Sequence, residues 1–311
     1  MTIDEKVIAV PEQIDFMVNT ECNARCKMCI QEITWKMPTR KGDPYLEGMR
    51  EHFADFYELG GRKVIITGGE PTLRPSRVIS TLEELRSYDA LELIAMYTNG
   101  SRLLKIMDGT TVAQRLKEAG LGCVNLSLHS HDHDENNAIF ALDLPRVEDI
   151  SNHLRDIEMP YRYCATLQKG GIETADDVLE YLSFAQQNGA QDVYLRELFQ
   201  VSNVEKQEAQ PHLQYIQENF VPITPIIEEL KERGMIQKTQ RNEFQGRNKD
   251  EIGFTTKDGF RFYTSQLEIG KEHPDELPYL VVMPNGKLYS TWMGEEHHVS
   301  SLLSYIAGER E

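Results

Sequence analysis

The alternation of apolar and polar positions divides this chain into short strand-like runs separated by longer stretches of helical period. Six runs rich in β-branched and aromatic residues stand out: "QIDFMVNT" (13–20), "KVIITGGEP" (63–71), "LELIAMYTNG" (91–100), "CVNLSLHS" (123–130), "YRYCATLQ" (161–168) and "DVYLREL" (192–198). The clearest helical interval is "ETADDVLEYLSFAQQNG". There Val178, Leu182 and Ala185 share a face, Thr174 and Asp177 make a capping box at the start, and Gly189 marks the end. Strands separated by single helices pair in parallel through right-handed crossovers, which predicts a barrel or an open doubly wound sheet.

After Glu197 the rhythm changes. Residues 203–250 are charged and predicted mostly helical, and "PYLVVMPNGKLYSTW" reads as a hairpin turning on Asn285-Gly286. The expected organisation is a core over 1–200 and an extension over 201–311, packed against the open side of the sheet and covering its mouth. No internal repeat is evident beyond the strand–helix rhythm.

Composition narrows the function classes. A chain of 311 residues suits one large α/β domain of barrel type with a sizeable core. With 50 acidic against 33 basic residues, the formal charge of -17 repels polyanions and makes nucleic acid an unexpected partner. The N-terminal stretch "MTIDEKVIAVPEQIDF" has neither a basic region followed by an apolar one nor a long hydrophobic run, so a cytoplasmic protein without a membrane segment is expected. Five cysteines, three of them inside eight residues, suit a reducing compartment where thiols act as ligands.

Those three are Cys22, Cys26 and Cys29 in "ECNARCKMCI", a C-x3-C-x2-C spacing on the loop after the first strand. That loop lies at a carboxyl-end strand tip, where α/β folds build their sites. A structural zinc site takes four protein ligands and would need a fourth, such as a histidine of the "HSHDHD" run. A [4Fe-4S] cluster held by three thiolates instead leaves one iron open to another ligand. Clustered structural cysteines or a zinc knuckle remain the plainer readings. The run His129, His131, Asp132, His133, Asp134 reads as a solvated loop after the fourth strand. Cys123 and Cys164 read as small buried hydrophobes on separate strands.

Four strand-tip motifs in order, "CNARCKMC", "TGGEP", "YTNG" and "NLSLHS", resemble the radical S-adenosylmethionine superfamily, and in detail the GTP 3',8-cyclase branch. The resemblance covers residues 13 to about 200, with Met28 standing where relatives commonly have an aromatic residue. It implies a partial (β/α)6 TIM-like barrel. It further implies one [4Fe-4S] cluster on Cys22, Cys26 and Cys29, with S-adenosylmethionine chelating the fourth iron and cleaved to a 5'-deoxyadenosyl radical that abstracts hydrogen. Gly68, Gly69 and Glu70 match the motif that meets the methionine amine, the glycines letting backbone approach the ligand. Ser127 matches a position that touches the ribose or carboxylate. Asn99 and Arg196 complete the expected cofactor-binding set, although Asn99-Gly100 is also an ordinary tight turn and Arg196-Glu197 equally a structural charge pair.

The cyclase branch carries three further cysteines near its C-terminal "GKL" turn, where they hold a second, substrate-binding cluster. Here Gly286, Lys287 and Leu288 are present, but no cysteine follows Cys164. The expected substrate is therefore a ribosomally made precursor peptide, to be epimerised, cross-linked or cleaved. The alternative is a nucleotide, sugar or small metabolite, and an alternative of another class is a non-catalytic iron–sulfur sensor. An external electron donor such as flavodoxin or ferredoxin is implied. With no room for a recognition domain before Gln13 or after Trp292, a peptide's leader would be read by a groove on 201–311 or by a small separate protein.

Overall fold

In the computed structural model of the chain, the described residues are 13–29, 44–201, 210–239, 251–265, 268–269, 280–291 and 297–303. Trp292 and parts of 203–250 lie outside them. Each of the six strand-like runs forms a strand: β1 (Gln13–Met17), β2 (Lys63–Thr67), β3 (Leu93–Thr98), β4 (Cys123–Ser127), β5 (Tyr161–Thr166) and β6 (Val193–Arg196). Each is shorter than its run because the last residues leave the ladder to build the tip loops. The helices between them are α1 (Tyr45–Glu58), α2 (Pro75–Leu85), α3 (Val112–Ala119), α4 (His133–Phe140), α5 (Val147–Asp156) and α6 (Ala175–Gln187). The capping box of α6 is present: Thr174 Oγ1 accepts from the Asp177 amide at 3.2 Å, and Asp177 Oδ2 accepts from the Thr174 amide at 2.8 Å.

The later segments are α7 (Gln210–Asn219), α8 (Ile223–Glu232), β7 (Ile236–Lys238), β8 (Glu251–Thr256), β9 (Arg261–Ser265), β10 (Val281–Val282), β11 (Leu288–Tyr289) and β12 (His298–Val299). All twelve strands join one sheet in the order β7, β8, β9, β6, β5, β4, β3, β2, β1, β10, β11, β12. The neighbours from β1 to β6 pair in parallel, β9 runs parallel beside β6, and β10 runs parallel beside β1. The fold is the partial TIM-like barrel that the family resemblance implies, one of the two arrangements left open by the strand–helix rhythm, and it is lengthened at both edges. Among the described residues, β7 to β12 extend the sheet, Glu268–Ile269 pairs in parallel with Gln200–Val201 in a separate two-stranded ladder beyond the end of β6, and α7 reaches the cysteine loop.

The period of two along the strands separates two environments. Met96, Tyr163, Ala165, Val193 and Leu195 face the helices and belong to the main core, which also holds Phe254, Phe262, Val282 and Leu288 from the extension. The opposite face carries Tyr97, Cys164, Tyr194 and Tyr263 as a separate cluster. On that inner face Tyr97, Ser127, Thr166 and Arg196 keep partial exposure although they sit on interior strands, whereas their outward neighbours are buried. The inner face is therefore a hollow open to solvent at the carboxyl ends of the strands. The Asn285-Gly286 turn forms as predicted, with Gly286 at φ +78° and its amide 2.9 Å from the Met283 carbonyl. Among the described residues no helix is long and apolar enough to cross a membrane.

Candidate active site at the strand tips

The loop after β1 is held along one side by the tip of β2. The ladder continues past the strands: the Val18 amide donates to the Thr67 carbonyl at 2.9 Å, the Gly69 amide to the Asn19 carbonyl at 3.0 Å, and the Glu70 amide to the Glu21 carbonyl at 2.7 Å. Asn19 Nδ2 returns a bond to the Glu70 carbonyl at 3.0 Å. This closeness explains the glycine pair. A Cβ at Gly68 would strike Asn19, and one at Gly69 would strike the Glu21 carbonyl. The backbone that approaches both glycines is the chain's own cysteine loop.

Glu70 is 1% exposed, and its carboxylate faces inward. Oε1 accepts from the Thr72 amide at 3.0 Å, from the Thr72 hydroxyl, and from Thr98 Oγ1 at 2.7 Å; Oε2 accepts from the Asn99 amide at 2.8 Å. Burial pushes its pKa up and these donors oppose the shift. Asn99 is bonded on both sides as well: Nδ2 donates to Asn23 Oδ1 at 3.0 Å, and Oδ1 accepts from the Ser101 amide at 3.0 Å. Asn23 in turn donates to Ser101 Oγ at 2.9 Å, so the β3 tip and the cysteine loop are sewn together.

The other side of the loop is apolar. Ala24, Phe140 and Leu144 form a buried cluster against which Cys22 and Cys26 pack. Met28 packs against the Leu198–Ile216 cluster, as do Leu213 and Phe220, which brings α7 to the loop. His212 Nδ1 lies 2.7 Å from the Lys27 carbonyl. All three cysteines are free thiols and partly exposed. Burial pushes the Cys22 thiol up, and for Cys26 burial followed by the neighbouring Cys29 and Cys22 pushes it far above the ordinary thiol range. Thiols so arranged give up their protons readily only to a shared cationic centre.

The donor set suits an iron–sulfur cluster. It offers three thiols near enough to feel one another's charge, set in an apolar shell. Among the described residues no group of three or more His, Cys, Asp or Glu side chains gathers tightly enough for a single metal ion. The histidine run supplies no fourth ligand: His129 Nδ1 accepts from the Thr166 amide at 3.1 Å, His131 lies 3.8 Å from Glu180, and His133 lies 3.1 Å from Asn137. The run is a solvated loop only in part. Asp132 and Asp134 are exposed and His131 and His133 partly so, with Asp132 capping α4 by accepting from the Glu135 amide at 2.9 Å, whereas His129 is buried against Phe140 with ring centroids 4.8 Å apart. Burial alone lowers the His129 pKa to about 4, so the ring is neutral with its proton on Nε2.

Of the remaining predicted residues, Ser127 lies partly exposed at the end of β4, level with Cys164 on β5. Arg196 does not pair with Glu197. Its Nη2 donates to the Tyr97 hydroxyl, and its guanidinium lies 5.1 Å from the Tyr97 ring and 4.9 Å from the Tyr194 ring. Glu197 turns away and accepts from the Ile223 amide at 2.8 Å, at the start of α8. Cys123 and Cys164 are buried, as predicted, on the inner face. Sequence reasoning missed Asn19, Asn23, Thr72, Thr98 and the lumen tyrosines. Thr98 carried a legible signal, being polar at the outward position that follows Ile94 and Met96.

The family model of the "Radical SAM superfamily" matches residues 17–185. Relatives include a probable GTP 3',8-cyclase of Thermococcus kodakarensis, 26% identical over 226 residues, covering 71% of this chain and 66% of that protein. The GTP 3',8-cyclase of Marinobacter nauticus is 31% identical over 183 residues, covering 58% of this chain and 52% of that protein. The chain thus spans between about half and two thirds of these relatives' lengths. Among solved structures, Streptococcus suis SuiB bound to S-adenosylmethionine shares the fold with a TM-score of 0.56 and 14% identity, over 92% of this chain and 61% of that one. The same protein bound to the precursor peptide SuiA aligns with the same TM-score, 0.56. With the family model spanning more than half of its length, the chain belongs to the radical S-adenosylmethionine superfamily, enzymes that use a [4Fe-4S] cluster and S-adenosylmethionine.

Proposed function

We propose that Cys22, Cys26 and Cys29 hold the cluster, and that the backbone of Gly68, Gly69 and Glu70, together with Ser127, forms the S-adenosylmethionine site at the mouth of the hollow. Asn99 serves that site by holding the cysteine loop through Asn23, and Arg196 lines the hollow between cofactor and substrate. When bound, the reduced cluster and S-adenosylmethionine supply a 5'-deoxyadenosyl radical for hydrogen abstraction. The chain's own part is to fix the three thiols, to enclose the reacting centre beside the apolar shell of Phe140, Leu144 and Met28, and to present a polar lumen to the substrate. Residues 1–200 supply this core, and 201–311 form an extension that covers the mouth.

The substrate we propose is a ribosomally made precursor peptide. The carrying observation is that no cysteine follows Cys164, so the hairpin turning at Gly286 brings no second cluster to anchor a nucleotide. SuiB, whose fold the chain shares, has been solved with its precursor peptide. A nucleotide substrate is the second reading, favoured by the GTP 3',8-cyclase names of the sequence relatives. Electrons come from a small redox protein of flavodoxin or ferredoxin type, and a separate leader-recognition protein fits the peptide reading.

Anaerobic reconstitution is the first test, with about four irons per chain expected for one cluster. About eight would refute the one-cluster reading, and full retention of iron after Cys26→Ala would refute the ligand assignment. The reduced, loaded protein should then release 5'-deoxyadenosine from S-adenosylmethionine. Mass analysis of candidate precursor peptides co-expressed with it decides the substrate: a Cys26-dependent mass change supports the peptide, and a change confined to a nucleotide supports the second reading.

A further inference from the structure

Glu70 is the most heavily bonded side chain at the strand tips, and none of its carboxylate's contacts points to a ligand. Its two oxygens accept from Thr72, Thr98 and Asn99, groups of the β2 and β3 tips. Its own amide and carbonyl hold Glu21 and Asn19 of the cysteine loop, at 2.7 Å and 3.0 Å. The Asn99 backbone, fixed by Oε2, aims its Nδ2 at Asn23, which lies between Cys22 and Cys26. A Cβ at Gly68 or Gly69 would break the same seam. The backbone of the Gly68-Gly69-Glu70 stretch therefore meets the loop bearing the thiols directly, and the Glu70 carboxylate reaches it through Asn99 and Asn23.

We infer that Glu70 is a positioning residue: its buried carboxylate joins the β2 and β3 tips and, through Asn99 and Asn23, docks the cysteine loop onto them. The inference rests on the proposal that Cys22, Cys26 and Cys29 hold the cluster.

Glu70→Gln is the discriminating change because it is isosteric. Each oxygen of Glu70 accepts from a backbone amide, Thr72 on one side and Asn99 on the other. Whichever way a glutamine amide turns, it sets an N–H2 donor against one of those N–H groups and leaves buried donors unsatisfied.

The expected results for Glu70→Gln are cluster uptake during anaerobic reconstitution slowed about tenfold and an unchanged S-adenosylmethionine-induced change in the electron paramagnetic resonance of the fraction that loads. Asn23→Ala acts at the far end of the relay and keeps the carboxylate, and it should slow uptake in the same direction. Arg74→Ala, which removes only the exposed tie from Arg74 to Glu21 at 2.7 Å, should leave uptake unchanged.

A Glu70→Gln protein that loads at the normal rate but loses its response to S-adenosylmethionine would make Glu70 a cofactor ligand and overturn the inference. So would loading at the parent rate with the response to S-adenosylmethionine intact. If Glu70→Gln does not fold, normal uptake by Asn23→Ala overturns the docking role. Failure of the unsubstituted protein to take up iron would instead refute the cluster proposal itself, and the inference would fall with it.

Discussion

Toward β2 and β3 the cysteine loop meets short polar side chains and bare backbone: Asn19, Glu70, Asn99 and Asn23 link it in hydrogen bonds of 2.7–3.0 Å. Toward α4 and α7 it meets Phe140, Leu144 and, through Met28, Leu213 and Ile216, with area buried and few directional contacts. Hydrogen bonds of fixed geometry set position, whereas apolar burial supplies free energy without specifying an orientation. The polar side should therefore decide where the thiols sit, and the apolar side how firmly the loop stays down. Two substitutions put that division at risk.

Phe140→Ala carries the larger energetic effect. Phe140 is 3% exposed, and truncating a buried phenylalanine costs about 3–5 kcal/mol. The bond from the Arg25 amide to the Phe140 carbonyl, 2.9 Å, is a backbone contact and survives the change. Urea unfolding of the apoprotein should register the loss, yet iron uptake under native conditions should remain close to normal. Iron lost in proportion to stability would abolish the distinction between the two sides.

Gly69→Ala should do the reverse. A methyl group directed at the Glu21 carbonyl costs about 1–3 kcal/mol as overpacking. The strain is relieved only by moving the segment that carries Cys22. Global stability should fall less than in Phe140→Ala, while iron content after reconstitution drops to background. A Gly69→Ala protein with a full complement of iron would show that the loop finds its position without the seam at β2.

The same division explains what was legible in the sequence. The six strands, the capping box at Thr174 and the turn at Gly286 are local, and each was readable from residues within a few positions of one another. The cysteine trio and the Gly68-Gly69-Glu70 stretch were legible as motifs, but their mutual role was not. That Gly69 accommodates Glu21 and that Glu70 serves Asn99 are contacts between distant segments, and a motif records which residues recur without recording what they touch. The hollow was less legible still. Tyr97, Tyr194 and Tyr263 come from three strands and meet only because β3, β6 and β9 share one face of the sheet. Glu197 shows the opposite error, since its place next to Arg196 suggested a charge pair, while the strand's alternation sends the two side chains to different sides.

The smallest predicted effect tests how dry the apolar side is. His129 stacks on Phe140, and its pKa falls from 6.5 to about 4 because burial disfavours the imidazolium. A folded pKa below the unfolded one means that, as the pH drops through 6.5, the unfolded chain takes up a proton that the native ring refuses. This ring's contribution to stability is therefore intact above pH 6.5 and declines between there and about 4. One unit below the unfolded pKa the penalty is about 1.4 kcal/mol. His129→Gln keeps an acceptor for the Thr166 amide, 3.1 Å away in the parent protein, but cannot titrate. Urea unfolding of both apoproteins at pH 7.5 and pH 5.5 should show the parent losing about 1.4 kcal/mol more than the variant on acidification. Parallel losses in the two proteins would mean that the native ring accepts the proton, and that water reaches the Phe140 side of the loop.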